Sequence, residues 1–340
     1  MNYKTKPCIE SVEKAKHIVI VGHENPDGDA VGSVLGLWHL LNNMDKKVTA
    51  VFPNDAPYFF KWMPDYNKIL LYTQHKANID KAFEEADLVF CLDFNEKRRV
   101  GILESTLTSC RATKILIDHH PYPEKFFDII ISDVEVSSTA ELVTLLIKKC
   151  KWTKYMDYNT AECLFTGILT DTLSFTVNAS RAITYALSSE LLKYGLNNEK
   201  IHQQVFNSYT EQRMHLIGYA IYKKMKILPT YATGYIYLTR DELKEFDFRN
   251  GDTEGLVNYP LSIKGINMAA LFLEKKDFIK ISFRSIGNIP VNEMMSTHFS
   301  GGGHKNAAGG DEKSLSLSQT IEKFEKMLPL YKDILKRNDL

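Results

Sequence analysis

Five places along the 340-residue chain group side chains that could do chemistry together. They are His23-Glu24-Asn25-Pro26-Asp27-Gly28-Asp29, Asp93, Asp118-His119-His120, Thr170-Asp171-Thr172 and Gly301-Gly302-Gly303-His304. Carboxylates gathered in a low-dielectric pocket repel strongly, so they either take up protons or recruit cations. Imidazole mixed with carboxylate suits Mn²⁺ or Zn²⁺ better than Ca²⁺. One ion does not use six or seven such ligands. A pair sharing a carboxylate, about 3.5–4 Å apart, does, and such pairs serve phosphoester hydrolysis. Singly, each group has a plainer explanation. Asp27-Gly28-Asp29 is good turn and helix-capping chemistry, Asp93 suits a cap or a solvated loop, and His119-His120 suits a polar loop.

The elements that must position these groups shift the balance. His17–Val21, Val48–Phe52, Asp87–Leu92 and Lys114–Ile117 read as short apolar strands, and Ala30–Met44 and Thr139–Lys149 as helices. Such alternation predicts an α/β fold with a parallel sheet covered on both faces. The groups at His23, Asp93 and Asp118 follow the carboxyl ends of predicted strands, the edge where open α/β sheets bind ligands. Asp171 follows Gly167-Ile168-Leu169 in an otherwise apolar stretch.

At about 150 residues per domain, the length suggests two domains. Ala186–Leu192 reads as a helix ended by Gly195–Asn198, and Glu199–Lys226 as one long, mostly polar helical stretch. Beyond about Met214 the texture changes: Thr233–Leu238, Asn267–Leu273 and Phe278–Phe283 read as strands and Leu317–Leu328 as a closing helix, an α+β pattern. The expected division is 1–195, a linker over 196–212, and a smaller domain over 213–340. His75, His215 and His298 lack such a context and read as surface or packing residues.

Lys+Arg and Asp+Glu are both 42, so the formal net charge is zero. That balance argues against clamping long nucleic acid, which takes a basic patch or stripe. A hydrophobic content of 44% argues against a disordered chain. No apolar run approaches the about 18 residues of a membrane span, and the first residues lack signal-peptide architecture. Cys8, Cys91, Cys110, Cys150 and Cys163 form no CxxC and read as buried, reduced thiols of a cytoplasmic protein.

Taken in order, HENPDGDAVGS, LDFNEKRR, IDHHP, LTDT and FSGGGHKNAAGG resemble the motifs of the DHH phosphoesterase superfamily, over about Lys14 to Gly310. Their spacing is similar to that of the bacterial nanoRNase/oligoribonuclease branch, which also acts on 3′-phosphoadenosine 5′-phosphate. The resemblance implies a catalytic DHH domain followed by a smaller DHH-associated, substrate-binding domain. It implies that His23 and Asp27 hold one divalent metal ion, that Asp29, His119 and Asp171 hold a second, and that Asp93 bridges them. Mn²⁺ is the family's commonest metal, with Mg²⁺ or Co²⁺ as substitutes. Asp118 would orient a neighbour from behind, as outer-shell carboxylates do, and His120 would donate to the scissile phosphate.

In the second domain the resemblance implies a Gly loop. Gly301, Gly302 and Gly303 would let backbone N–H groups approach a phosphate or ribose closely. His304 would donate to phosphate and Arg284 would clamp it bidentately, with Ser285 and Asn306 as lesser contacts. The plainer explanations are a flexible glycine loop and a surface salt bridge for Arg284. One departure stands out: Leu173 occupies a position where the family usually has Gly, so a positive φ there would be strained. Arg181 is a further cation that could meet substrate phosphate.

The function so implied is two-metal hydrolysis of short RNA to mononucleotides, with removal of the 3′-phosphate of 3′-phosphoadenosine 5′-phosphate. Substrates of about two to five nucleotides need only local contacts, which suits a chain without a basic track, whereas long duplex DNA does not. Cleavage of linear or cyclic dinucleotides, and of pyrophosphate or polyphosphate, uses the same kind of site. A non-catalytic nucleotide-binding protein would be signalled by a missing ligand, and every expected ligand is present. A homodimer is compatible with all of this, and nothing in the sequence specifies one.

Overall fold

The computed structural model describes residues 5–337. They fall into two compact units that divide between Ser208 and Tyr209.

The first unit is built on a six-stranded sheet of β1 (His17–Gly22), β2 (Lys47–Phe52), β3 (Leu70–Leu71), β4 (Leu88–Leu92), β5 (Thr113–Asp118) and β6 (Ile129–Ser132). The spatial order is β3-β2-β1-β4-β5-β6 and each pairing is parallel. Around it lie α1 (Thr5–Lys14), α2 (Gly28–Asn42), α3 (Tyr72–Glu85), α4 (Glu104–Ser109), α5 (Thr139–Lys149), α6 (Tyr158–Asp171), α7 (Ala182–Leu192) and α8 (Asn198–Phe206). Because strand side chains alternate, β1 sends Ile18 and Ile20 to one core and Val19 and Val21 to another, so both faces are covered. β4 and β5 divide their residues the same way, with Phe90 and Ile115 in one core and Val89 and Leu116 in the other. This is the doubly wound parallel sheet the alternation predicts, and its order reverses between β1 and β4.

Small residues let the helices on one face approach closely. A Cβ on Gly32 of α2 would sit 2.5 Å from the Cys163 carbonyl oxygen of α6, and one on Gly167 would sit 2.6 Å from Ala140 Cβ of α5. That contact brings the N-terminal turns of α2 and α5 to the last turn of α6.

Two sequence expectations are corrected here. Glu199–Lys226 is not one helix. It breaks after α8 at Asn207–Tyr209, where the Thr210 hydroxyl caps α9 (Glu211–Tyr219), and it ends in a π turn leading into a strand. Within the stretch read as a linker, α8 packs Ile201 and Val205 into the first unit's core. The helix over Leu317–Met327 does not close the chain either, since a 3₁₀ turn and a further helix follow it.

The second unit is a mixed six-stranded sheet of β7 (Met225–Leu228), β8 (Thr233–Leu238), β9 (Met268–Glu274), β10 (Ile279–Ser285), β11 (Ser300–His304) and β12 (Ala307–Glu312). Its order is β11-β12-β10-β9-β8-β7, with only β8 and β9 parallel. Besides α9 it carries α10 (Arg240–Glu245), α11 (Val291–His298), α12 (Leu317–Met327) and α13 (Lys332–Lys336). The aromatic core of this sheet joins Tyr235, Phe272, Phe283 and Phe324. All five cysteines are buried and unpaired. No helix among the described residues is long and apolar enough to cross a membrane.

Candidate metal centre

The carboxyl ends of β1, β4 and β5 deliver the first unit's polar side chains to the point where the strand order reverses. His23 follows β1, Asp93 follows β4, and Asp118 ends β5 with His119 and His120 after it. His23, Asp93, Asp118 and His119 are each 6% exposed or less.

Asp27 does two jobs. It caps α2, its Oδ1 accepting from the N–H of Asp29 at 3.1 Å and of Ala30 at 3.0 Å. The same oxygen lies 3.8 Å from His23 Nε2. The turn explanation and the ligand explanation therefore describe one residue. His23 Nδ1 lies 2.8 Å from the Glu24 carbonyl oxygen, to which it donates, so Nε2 is left to the centre.

Two groups of ligand atoms bring together the residues expected to hold metal. His23, Asp27 and Asp93 offer atoms within 4.8 Å of one another, and so do Asp29, His119 and Asp171. Asp93 faces both with different oxygens: Oδ2 lies 3.5 Å from His23 Nε2, and Oδ1 lies 3.6 Å from His119 Nε2. His119 Nε2 is also 3.9 Å from Asp29 Oδ2 and 3.7 Å from Asp171 Oδ2. Asp93 adopts φ 65°, a left-handed conformation that Asp tolerates better than bulky residues.

The electrostatics are those of a site short of positive charge. Burial, then the charges of Asp93, Asp171 and Asp27, push the Asp29 carboxyl well above the usual carboxylate range. Burial opposes protonation of His23, but hydrogen bonds and charges from Asp27 and Asp93 outweigh it and push the imidazole up to about 10. Desolvation likewise opposes the charge of Asp27, and His23 and the Ala30 N–H hold its carboxyl well below the usual range. Burial and the neighbouring His120 push His119 down, toward the neutral ring a ligand needs. The donor set of two imidazoles and four carboxylates, gathered in two groups around a shared Asp93, fits a pair of divalent cations.

Asp118 lies outside these two groups and, with Asp93 and His120, offers a further set of ligand atoms within 4.8 Å of one another. It is fully buried, and His120 Nδ1 donates to its Oδ1 at 2.7 Å. Burial opposes the charge on His120, but Asp118 more than compensates and raises its pKa.

Sequence reasoning missed the residues that hold Asp29 and Asp93. The N–H of Thr139 donates to Asp29 Oδ2 at 2.6 Å, and that of Ala140 to Asp29 Oδ1 at 2.8 Å. Thr139 Oγ1 donates to Asp93 Oδ1 at 2.9 Å. The signal available was the Ser137-Ser138-Thr139 run ahead of a predicted helix, a capping pattern with more hydroxyls than a cap uses. Asp171 occupies the last position of α6, at a helix end rather than a strand end. Beyond it Leu173, Ser174 and Phe175 have φ of 44°, 59° and 64°, so the backbone at Leu173 and the next two residues is in the positive-φ region. The Ser174 N–H donates to the Leu169 carbonyl at 2.8 Å, the Phe175 N–H donates to the Thr172 hydroxyl at 3.0 Å, and Phe175 stacks on Tyr185, and together these hold the turn. The Arg181 guanidinium donates to the Glu135 carbonyl.

In the second unit the glycines do not form a loop. Ser300–His304 is β11, paired with β12 so that Gly301 faces Gly310 and Gly303 faces Ala308. A Cβ on Gly301 would sit 2.2 Å from the Gly309 carbonyl oxygen, and Gly303 combines φ 146° with 2.4 Å to the Ala307 oxygen. Those two glycines are required by the hairpin itself. Gly302 faces open space. Arg284 lies on β10 between the buried Phe283 and Ser285, with Ala269 and Ala307 as its register partners. Ser285 donates to the Ile289 carbonyl at 2.8 Å, and the Asn306 amide donates to Ser285 Oγ at 2.9 Å and Gly287 O at 3.0 Å. Those two side chains tie down the turn after β10. His298 meets the Tyr331 hydroxyl at 2.9 Å, a packing role.

Residues 17–168 match the DHH family, N-terminal domain, and residues 229–337 match the DHHA1 domain. The crystal structure of an exopolyphosphatase-related protein from Bacteroides fragilis is 42% identical, with 98% of this chain and 97% of that chain covered at a TM-score of 0.93. A Streptococcus mutans protein named probable bifunctional oligoribonuclease and PAP phosphatase NrnA is 28% identical over 323 residues, covering 93% of this chain and 96% of its own. A Bacillus subtilis protein named bifunctional oligoribonuclease and PAP phosphatase NrnA is 25% identical over 306 residues, covering 88% and 91%.

Proposed function

The chain belongs to the DHH family, and we propose on that footing that it is a metal-dependent phosphoesterase that hydrolyses short RNA oligonucleotides and removes the 3′-phosphate of 3′-phosphoadenosine 5′-phosphate. The observation that carries this reading is Asp93, whose two oxygens face two separate His/Asp groups. His23 and Asp27 would hold one divalent ion, Asp29, His119 and Asp171 the other, and Asp93 both, with Mn²⁺ as the preferred metal. When bound, such a pair lowers the pKa of water and neutralises charge on the phosphoryl oxygens.

The chain's own residues do the rest. His120 keeps a proton on Nδ1 for Asp118, which fixes the ring, and presents Nε2–H to a phosphoryl oxygen of the substrate. The raised pKa of His120 supports its acting as a donor. Arg284, His304 and the backbone of Gly302 hold parts of the substrate away from the scissile bond, so their binding energy sets the length preference. The unpaired, buried cysteines support a cytoplasmic location.

A second reading has one specific support, the 42% identity to a protein described as exopolyphosphatase-related. Against it, the lysine in the turn of the Gly-rich hairpin, Lys305, has its ammonium bonded to Asn288 Oδ1. One assay separates the two. Turnover with Mn²⁺ is measured on a dinucleotide, a 20-nucleotide RNA (a length set by design), 3′-phosphoadenosine 5′-phosphate and pyrophosphate, each with an EDTA control. The proposal expects fast dinucleotide cleavage, slow cleavage of the long RNA and loss of both in EDTA. Pyrophosphate as the best substrate overturns it in favour of the second reading. No metal-dependent turnover on any of them overturns both.

A further inference from the structure

The geometry points to Thr139 as a positioning residue that couples the two ligand groups of the first unit. It is the one residue of α5 that touches both Asp29, from the second group, and Asp93, which is shared. Its backbone N–H grips Asp29 Oδ2 at 2.6 Å while Ala140 N–H takes Oδ1 at 2.8 Å, so both oxygens of that carboxylate are fixed. Its hydroxyl donates to Asp93 Oδ1 at 2.9 Å, the oxygen that faces His119. Thr139 is fully buried, and its β-branch restricts χ1, so the hydroxyl and the N–H are held at a fixed mutual angle. The separation of the Asp29 and Asp93 carboxylates is thereby referred to one residue.

Behind it the segment entering α5 is braced. Glu141 is fully buried, and its Oε2 accepts from Ser137 N at 3.1 Å, Ser137 Oγ at 2.5 Å and Thr184 Oγ1 of α7 at 2.8 Å. Ser138 caps the helix by accepting from Glu141 N at 3.0 Å. The N-terminal turn of α5 is thus tied to α7 on one side and to the carboxylates on the other. Such outer partners of ligands typically change metal affinity or activity by about 10–100-fold when removed.

This inference rests on the metal-dependent reading above, and its test is read mainly in metal binding rather than turnover. Thr139→Val keeps the shape and the backbone N–H and deletes the hydroxyl, whereas Thr139→Ser keeps the hydroxyl. Each variant and the wild type are titrated with Mn²⁺ by calorimetry, examined by electron paramagnetic resonance for coupling between bound Mn²⁺ ions, and melted in EDTA. Thr139→Val should keep the wild-type melt within a few degrees, bind Mn²⁺ about 10–100-fold more weakly and change the coupled signal. It should lower kcat by a similar factor with KM within about threefold, and Thr139→Ser should recover most of each loss. Wild-type Mn²⁺ affinity and coupling in Thr139→Val overturn the inference, as does a Thr139→Ser defect equal to that of Thr139→Val. If Thr139→Val loses its cooperative melt, Thr139→Ala takes its place in the same comparison. Wild-type protein that binds Mn²⁺ but cleaves none of the substrates overturns the proposed function and leaves the titration of Thr139 decisive.

Discussion

Asp171→Asn should make the metal-free protein more stable and the enzyme nearly inactive. The substitution keeps the shape of the side chain and removes one charge from a crowded group. Ligand atoms of Asp171 and Asp29 lie within 4.8 Å of one another. At an effective dielectric constant near 20, two unit charges at that separation repel by ~3 kcal/mol. The Asp171 side chain is 27% exposed. The Asp29 carboxyl is already shifted toward its protonated form by burial and by Asp93, Asp171 and Asp27. Both facts reduce the penalty, leaving about 1 kcal/mol to be recovered. For a folding unit of this size that corresponds to a rise in Tm of about 2–4 °C in EDTA.

Metal should reverse the ranking. Ligand at a hundred times its Kd stabilises by ~2.7 kcal/mol, so the wild type should rise by several degrees on adding Mn²⁺ and the variant by far less. Turnover of a dinucleotide should fall by about a hundredfold or more if the pair of ions carries the chemistry. pH supplies a check of sign. Asp29 has a folded pKa above its unfolded value, so folding takes up a proton there. That contribution is present below the unfolded pKa of about 3.9 and is lost as pH rises toward the folded value. Stability in EDTA should therefore decline with pH across this window in the wild type and decline less in Asp171→Asn. The assay is calorimetry in EDTA and in Mn²⁺, paired with turnover. A variant that melts lower than wild type in EDTA, or keeps more than a few per cent of wild-type turnover, refutes the reasoning.

Asp93→Ala should abolish Mn²⁺-dependent turnover while the EDTA melt stays cooperative, and retained activity above a few per cent would count against a shared carboxylate. Arg284→Ala should raise KM for short oligonucleotides more than it slows an activated small phosphodiester, and equal losses on both would mean that Arg284 is no remote clamp. Gly301→Ala should destabilise the second unit by more than about 2 kcal/mol, because its Cβ meets a backbone carbonyl at 2.2 Å, as seen in a lowered melt. Gly302→Ala, in open space, should melt like wild type and raise KM for the oligonucleotide. Leu173→Gly should change stability by less than about 1 kcal/mol, since relief of a positive φ is offset by the greater freedom of glycine when unfolded; a larger loss would mean that the Leu173 side chain packs.

The parallel sheet was legible because β1, β4 and β5 are buried on both faces and therefore read as short unbroken apolar runs, with His23 and Asp93 directly following β1 and β4 and Asp118 ending β5. That made the positions of His23, Asp93 and Asp118 derivable before any resemblance was invoked. Asp171 was harder. Helix α6 is packed on several sides, so Cys163-Leu164-Phe165 and Ile168-Leu169 show no amphipathic period from which to recognise a helix end. Strands β11 and β12 were invisible for a different reason. Ser300–Gly303 and Ala307–Gly310 carry no apolar alternation, and only their mutual pairing makes them strands. The break at Asn207–Tyr209 is set by α8 packing back on the first unit, which a polar helical pattern does not reveal. Thr139 was placed correctly at the start of a helix, but which carboxylates it meets depends on partners 110 and 46 residues away.

Those same separations govern when the centre comes into being. Every strand pairing in the first sheet is parallel, so each needs a crossover before it forms, and chains dominated by distant pairings fold slowly. Asp29 cannot meet its donors until α5 has docked, and Asp171 arrives only with α6. A chain still emerging during synthesis thus carries an incomplete, weak ligand set, and tight metal uptake becomes a mark of finished topology. Trp38, Trp62 and Trp152 all lie in this unit, so their fluorescence follows its refolding from denaturant without a signal from the other unit. Mn²⁺ capture should trail the slowest phase of that fluorescence; capture ahead of it would mean that part of the centre is assembled in a collapsed intermediate.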